Sequence, residues 1–284
     1  MDGTSIMMTD AATQREAPLS WIDTHVHMDA SEFDSDREQV LLRARQSGVT
    51  YCLNPSVSAA SFAPVHALAA TSQTRSDWPQ LLPAFGIHPL HVAQAGVDDL
   101  LLLEKQITAH RPVAIGEIGL DGYPGAPDLA QQRPLFETQL ALAAAHGLPV
   151  LLHVRHAVEA VIQTLKRIQG SRQKIPGGIA HAFNGSESQA AQLTRMGFLL
   201  GFGGSLTYEG STRIRRLAKS LPLNHIVLET DAPDMPPAWL HQGRNEPASL
   251  PRIAQTLAAL RDIAPRVVSA QTSANVRALI TDYV

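Results

Sequence analysis

Two histidines separated by a single residue, His25 and His27 in IDTHVH, begin a series of side chains able to grip metal ions. Glu117 in AIGEIGLD, His153 in PVLLHVR, His181 in GIAHAF and Asp231 in IVLETDAP continue it. Each comes at the tail of a short apolar run and just before a loop. Imidazole and carboxylate together suit Zn²⁺, Mn²⁺ or Fe²⁺. Alternate residues of a strand share a face, so both imidazoles of the HxH pair can reach one ion. Alone, that pair reads equally well as two surface or cavity histidines. Glu117 sharpens it, because a carboxylate inside an apolar strand end is costly unless paired. Its partner is either a Lys or Arg nearby or a pair of cations that it bridges. Taken singly, His153 and His181 each read as a satisfied core histidine; at equivalent ends of successive strands they point to a shared site. Asp231 either caps a turn or binds an ion and accepts the proton of attacking water, which makes it the candidate catalytic residue.

Combined, the residues form a His25/His27/Glu117/Asp231 set and a Glu117/His153/His181 set, enough for two divalent ions sharing Glu117. Two ions ~3.5–4 Å apart can activate water on one side and steady developing charge on the other. That chemistry hydrolyses phosphodiesters, and also some amides and lactones. Zn²⁺ or Mn²⁺ suits the histidine-rich position, and an oxygen-rich second position also admits Mg²⁺. Asp121 and Glu229 read as supports behind the ligands. His88 in GIHP, Arg155, and Arg244 with Asn245 in QGRNEP are the candidate contacts to an anionic substrate. Arg forms forked bonds to phosphate oxygens, and loops after the last strands of a barrel often carry phosphate contacts. A surface ion pair is the alternative for each Arg. His66, His91, His110, His146, His156, His225 and His241 receive no role.

Such scattered residues meet only if the elements bearing them share one rim. Strands are expected at 21–25, 49–54, 81–86, 113–117, 150–153, 178–181, 198–202 and 226–229, as short apolar runs buried on both faces. Between them lie expected helices at 36–46, 98–110, 131–146, 157–169, 186–196 and 212–220, with two more after residue 249. Alternating strands and helices imply parallel pairing through right-handed crossovers. The expected fold is an α/β chain closed as a (β/α)8 barrel, whose strand tails converge on one face. An open doubly wound sheet is the alternative. Residues 1–19 are expected to form a disordered tail and 20–284 a single hydrolase domain.

The composition, 44% hydrophobic and 17% charged over 284 residues, is that of an ordinary globular protein. One cysteine excludes an internal disulfide and favours a reducing compartment. The polar start lacks the apolar stretch of a secretory signal, and no apolar run approaches the ~20 residues of a membrane span; a cytoplasmic protein with no membrane partner is expected. A net charge of −3 argues against binding through a broad basic face, though bound dications would add local positive charge. The chain has no GxxxxGK[ST] loop, no GxGxxG after a strand and no GxSxG elbow. Metal-assisted hydrolysis is the chemistry left.

Taken in order, DTHVHMD (23–29), GIHP, GEIGLD, PVLLHVRHAVE (149–159), HAFNG, LETDAP (228–233) and RNEP resemble the motifs of the TatD family of metal-dependent deoxyribonucleases, within the amidohydrolase-like barrels. The resemblance runs from about Trp21 to the C-terminal helices and includes a segment, 272–279, containing Asn275. It implies one to three divalent ions and hydrolysis of phosphodiesters in DNA, often as a 3′→5′ exonuclease on single strands. It carries the ligand role to His25, His27, Glu117, His153, His181 and Asp231, and a substrate-side role to His88. The chain departs from the family pattern at Trp21, where a smaller aliphatic residue or Phe is usual, and at GYPGAP (122–127), beside the expected site. The expected activity is therefore that of a DNase using metal-activated water. A metal-dependent hydrolase of a small lactone, amide or ester is the second reading, and a barrel that binds without catalysing is the third.

Overall fold

The apolar runs form the strands of a computed structural model that describes residues 19–170 and 174–281. The tail expected over 1–19 lies, up to residue 18, outside the described residues. In chain order the strands are β1 Trp21–Asp23, β2 Val49–Pro55, β3 Gln80–Phe85, β4 Ala114–Asp121, β5 Val150–Arg155, β6 Gly178–Ala180, β7 Phe198–Phe202 and β8 Ile226–Leu228. They pair in that same order, parallel throughout. β8 returns to β1: the Thr24 N–H donates to the Leu228 carbonyl at 3.0 Å, and Val26 bridges Ala232. The sheet therefore curls into a nearly closed barrel, not the open sheet weighed as the alternative.

Helices cover the outside: α1 Arg37–Gln46, α2 Phe62–Gln73, α3 Val97–His110, α4 Leu129–His146, α5 Val158–Gln169, α6 Glu187–Arg195, α7 Thr212–Ser220, α8 Leu250–Arg261 and α9 Pro265–Leu279. α2 was not among the expected helices. Its Pro64 reads as a breaker, yet it falls in the first turn, where a missing N–H costs nothing. The stops behave as their residues require: Gly147 takes a left-handed conformation after α4, and the Ser186 hydroxyl accepts from the Gln189 N–H at 3.2 Å to start α6. No helix among the described residues is long and apolar enough to cross a membrane.

Inside the barrel, each strand contributes one aliphatic side chain to a single buried layer: Ile22, Leu53, Ala84, Ala114, Leu151, Ile179, Leu199 and Val227. Each of the larger ones contributes about 1.5–3 kcal/mol by leaving water. Val276 and Ile280, at the end of α9, join the layer and close the mouth where the strands begin. Asn275 ties α9 there, donating to the Leu223 and Ile226 carbonyls at 2.9 and 2.7 Å. With that mouth sealed, the opposite rim is where the interior opens. Two residues beyond Leu151 on the same face stands His153; two beyond Ile179 stands His181. The apolar floor and the polar rim are thus one alternation carried further along the strands.

Candidate metal centre

Glu117 reaches the interior through an irregularity in β4. Ile115 pairs with Val150 but Ile118 with Leu152, so two residues of β4 oppose one of β5. Such a bulge re-aims the inserted residue. The Glu117 N–H crosses to the Ser56 carbonyl of the second strand's loop at 2.9 Å, which fixes the new direction. Gly119 follows at φ +149, and a side chain there would run into the His153 carbonyl. Only glycine lets β4 lie this close to β5.

The Glu117 carboxylate, 2% exposed, is met on its two oxygens by different imidazoles. Oε2 lies 3.2 Å from His25 Nε2 and 3.5 Å from His27 Nε2. Oε1 lies 2.9 Å from His153 Nδ1, 3.0 Å from His181 Nε2 and 3.6 Å from His88 Nε2. Asp231 Oδ1 sits 3.8 Å from both His25 Nε2 and His27 Nε2. Three groupings therefore have ligand atoms close enough to surround an ion: His25/His27/Glu117, His25/His181/Asp231 and His88/Glu117/His153. The six residues expected as ligands are all brought together, with His88 beside them.

Main-chain bonds hold the rim. β1 ends at Asp23, so His25 and His27 lie just beyond the strand, not on it as expected. They stay extended because the His27 N–H donates to the Ala232 carbonyl and the Asp231 N–H to the His25 carbonyl, both at 2.8 Å. The buried Asp23 carboxylate accepts from the Thr230 hydroxyl at 2.6 Å and the Thr230 N–H at 3.0 Å, clamping the two loops together. Asp231 itself takes φ +57, a left-handed conformation that Asp tolerates better than most residues. Asn245 completes the clamp: fully buried, it donates to the Thr230 carbonyl at 2.8 Å and to the Met235 carbonyl at 3.3 Å.

The second nitrogen of each ring decides what the first can do. His27 Nδ1 is 3.2 Å from the Pro55 carbonyl, which can only accept, so Nδ1 carries a proton and Nε2 faces the cluster. His153 Nε2 is 2.9 Å from Asp121 Oδ2, the carboxylate–histidine arrangement that leaves Nδ1 for an ion. Asp121 also accepts from the Tyr123 N–H at 2.7 Å, so it both supports the site and caps the loop. Glu229 lies behind His181 without a hydrogen bond to it, Oε1 being 3.8 Å from its Nδ1, and accepts from the Ala182 N–H at 2.5 Å. His88 differs. Its Nδ1 accepts from the Leu90 N–H at 3.2 Å, so the neutral ring keeps its proton on Nε2 and offers a donor, not a lone pair.

Burial would raise the Glu117 carboxyl, but His25, His88, His181 and the His153 hydrogen bond outweigh it and hold it well below the usual carboxylate range. Burial acts to lower each of the five imidazoles around Glu117. For His25 and His88 it prevails, and both fall to about 3. For His27 and His181 the neighbouring Glu117 and Asp231 win, lifting them to about 9 and about 10. Burial raises Asp231, Asp23 to about 7 and Glu229 to about 8. The fit to cations rests on the donor set. Five imidazoles surround one carboxylate, and His25 Nδ1 and His181 Nδ1 are buried without a hydrogen-bond partner. Rings stacked 4.0 Å apart, as His25 and His181 are, cannot comfortably both be charged. Imidazole nitrogens drawn together on a carboxylate are a donor set for an ion, which takes the place of the protons on His27 and His181.

The centre lies in a cleft of about 870 Å³ that Arg155 also lines. Arg155 stacks on Tyr123 from the divergent 122–127 segment, its guanidinium carbon 3.6 Å from the ring centroid. Arg244 and Asn245 do not face this cleft. Arg244 makes a forked pair with Asp36, at 2.8 and 2.7 Å, and also donates to the Glu32 carbonyl at 2.5 Å. Expected as substrate contacts, they are engaged elsewhere: Arg244 at the α1 N-terminus and Asn245 on the loop it holds. His91, His156, Asn184 and Arg213 line the cleft without having been foreseen. His156 follows a strand tail directly and could have been found that way; Arg213 lies at the start of α7, where no sequence signal marks it.

A nearly closed barrel of parallel strands with histidines and carboxylates gathered at one rim defines a metal-dependent hydrolase. The TatD related DNase family model matches residues 22–281, and the chain belongs to that family. It is 37% identical over 244 residues to the uncharacterized metal-dependent hydrolase YjjV of Escherichia coli (strain K12), covering 85% of this chain and 90% of that protein. It is 33% identical over 267 residues to the 3′-5′ ssDNA/RNA exonuclease TatD of Pantoea sp. (strain At-9b), covering 90% and 98%. The crystal structure of YjjV from Escherichia coli K12 superimposes with a TM-score of 0.84 at 34% identity, covering 92% of this chain and 98% of that one. An uncharacterized amidohydrolase from Saccharomyces cerevisiae, 19% identical, shares the fold with a TM-score of 0.81, covering 92% and 100%.

Proposed function

We propose that this hydrolase cleaves phosphodiester bonds at single-stranded nucleic-acid ends, most readily as a 3′→5′ deoxyribonuclease. The observation that carries the reading is the Glu117 carboxylate, whose two oxygens face two separate groups of imidazoles. His25, His27, Glu117 and Asp231 would hold one divalent ion, and Glu117, His153 and His181 a second, with Zn²⁺, Mn²⁺ or Mg²⁺ as candidates. Ions bound there would polarise the phosphoryl group and make water a better nucleophile at neutral pH. A relative named as a 3′-5′ ssDNA/RNA exonuclease supports the substrate class.

The chain's own groups divide the remaining work. Asp231 takes the proton of the attacking water as the new oxygen–phosphorus bond forms and the ester bond to the leaving oxygen breaks. The His88 Nε2–H donates to a non-bridging phosphoryl oxygen, a role its tautomer fits and that of a ligand does not. Arg155, braced on Tyr123, pairs with the same phosphate. The test is release of mononucleotides from single strands blocked at either end, by enzyme loaded with Mn²⁺ or Zn²⁺. Absence of cleavage with the ions bound would refute the reading.

One observation favours the second reading, hydrolysis of a small ester, lactone or amide. Asp29, Glu32 and Asp234 line the same cleft and would repel a polyanion. Strong turnover of such a substrate without cleavage of DNA or RNA would select it.

A further inference from the structure

Beside the metal cleft lies a second groove of about 810 Å³. His156, Val158, Asn184 and Arg213 line both spaces, so the groove continues the cleft across the starts of α5, α6 and α7. Pockets of about 300–1,000 Å³ take one drug-sized ligand each. A mononucleotide is of that size, so the two spaces together exceed what one nucleotide fills. At the junction, the exposed Arg213 guanidinium has one long hydrogen bond among the described residues, 3.4 Å to the Asn184 carbonyl, and no carboxylate partner. Farther out, Arg216 lies 3.5 Å from Glu187 in a pair with both side chains mostly exposed, at 70% and 62%. Such a pair is weak and readily exchanged for another anion.

The geometry points to this groove as the seat of the strand next to the scissile phosphate. Arg213 meets the first neighbouring phosphate and Arg216 the next. The inference rests on the nuclease reading, and it adds that recognition extends beyond the reacting nucleotide. A substrate needs a third nucleotide to reach Arg213 and a fourth to reach Arg216. Glu187 and Glu159 on its wall oppose a polyanion, so the gain is modest and strongly dependent on salt.

The experiment compares metal-loaded enzyme on thymidine 5′-p-nitrophenyl phosphate, a dithymidylate and a tetrathymidylate. Two exposed groove positions outside the centre are changed, Arg216→Ala and Ser188→Trp, the second to fill the space. With native enzyme, kcat/KM rises about tenfold from dimer to tetramer, about threefold for each of the two added phosphates, as expected of weak exposed charge contacts. Ser188→Trp loses that rise and Arg216→Ala loses the part due to the outer phosphate, about threefold; both leave the small diester within about twofold of native. Arg216→Ala also lowers the log–log salt slope on the tetramer by about 0.7, the value for one phosphate of a single strand. A tetramer cleaved no better than the dimer, or variants that keep the full rise, would overturn the groove while leaving the nuclease intact. Hydrolysis of the small diester without cleavage of any oligonucleotide would overturn both.

Discussion

The Asp231 N–H donates to the His25 carbonyl at 2.8 Å, so residues from opposite ends of the chain are registered by main chain, not by their side chains. The same loops are joined by the His27–Ala232 bond and the Asp23–Thr230 clamp. The site is therefore part of the closure of the barrel. Its side chains can be changed without undoing the framework that carries them.

Asp231→Asn tests that separation. Its carboxylate is placed by backbone bonds, so the amide should lie where the acid lay. Hydrolysis should fall by on the order of 10²–10⁴-fold, the range for loss of a general base. Thermal unfolding should move little. Steady-state rates and a melt on the same sample decide it, and a variant that hydrolyses at the native rate would remove Asp231 from the chemistry.

Asn245→Ala should act on stability instead. It leaves the Thr230 and Met235 carbonyls without their donor, at a cost of about 1–3 kcal/mol.

 A denaturant titration should show the lower midpoint with KM for small substrates nearly unchanged. Were Asn245 a phosphate contact, KM would rise at unaltered stability.

Removing the ions should cost stability as well as activity. An ion that binds only the folded chain contributes about 2.7 kcal/mol when present at a hundred times its Kd. Melting after chelation should come lower, and should climb with added Mn²⁺ or Zn²⁺ in a concentration-dependent way. A melting temperature indifferent to every divalent ion would sink the metal centre. His25→Ala should flatten the same response, because its Nε2 faces both Glu117 and Asp231.

Ion binding should release protons. Burial lowers His27 and His181, but Glu117 and Asp231 raise them to about 9 and about 10, so in the ion-free protein both are protonated at neutral pH. A cation needs the neutral rings and must displace those protons. Affinity should therefore strengthen as pH rises towards 9–10 and weaken as it falls. Calorimetry in two buffers of different ionisation enthalpy reads the number released; equal heats in both would contradict the assignment.

The barrel and the six rim residues were legible because each rests on a local pattern. A buried strand leaves an apolar run, and a ligand leaves a charged or imidazole side chain at its tail. The placement of the other expected residues has a different cause. Arg244 and Asn245 follow the last strand, as phosphate contacts often do, but Asp36 and the Thr230 carbonyl stand in front of them. No spacing along the chain announces that Arg244 meets Asp36, 208 residues away, or that Asn245 turns back to a carbonyl 15 residues before it. Arg213 escaped for the converse reason: an exposed Arg at a helix start is ordinary until the neighbouring space is known.

Side-chain type and strand alternation determined the chemistry available, because they depend on residues at most a few positions apart. Which oxygen of Glu117 meets which imidazole, which ring nitrogen keeps its proton, and which arginines stay free for a substrate were decided only when the barrel closed. Those properties belong to contacts between distant segments. They are set by the bulge in β4, the pairing of the β1 and β8 loops, and the hydrogen bonds that each closure leaves unfilled.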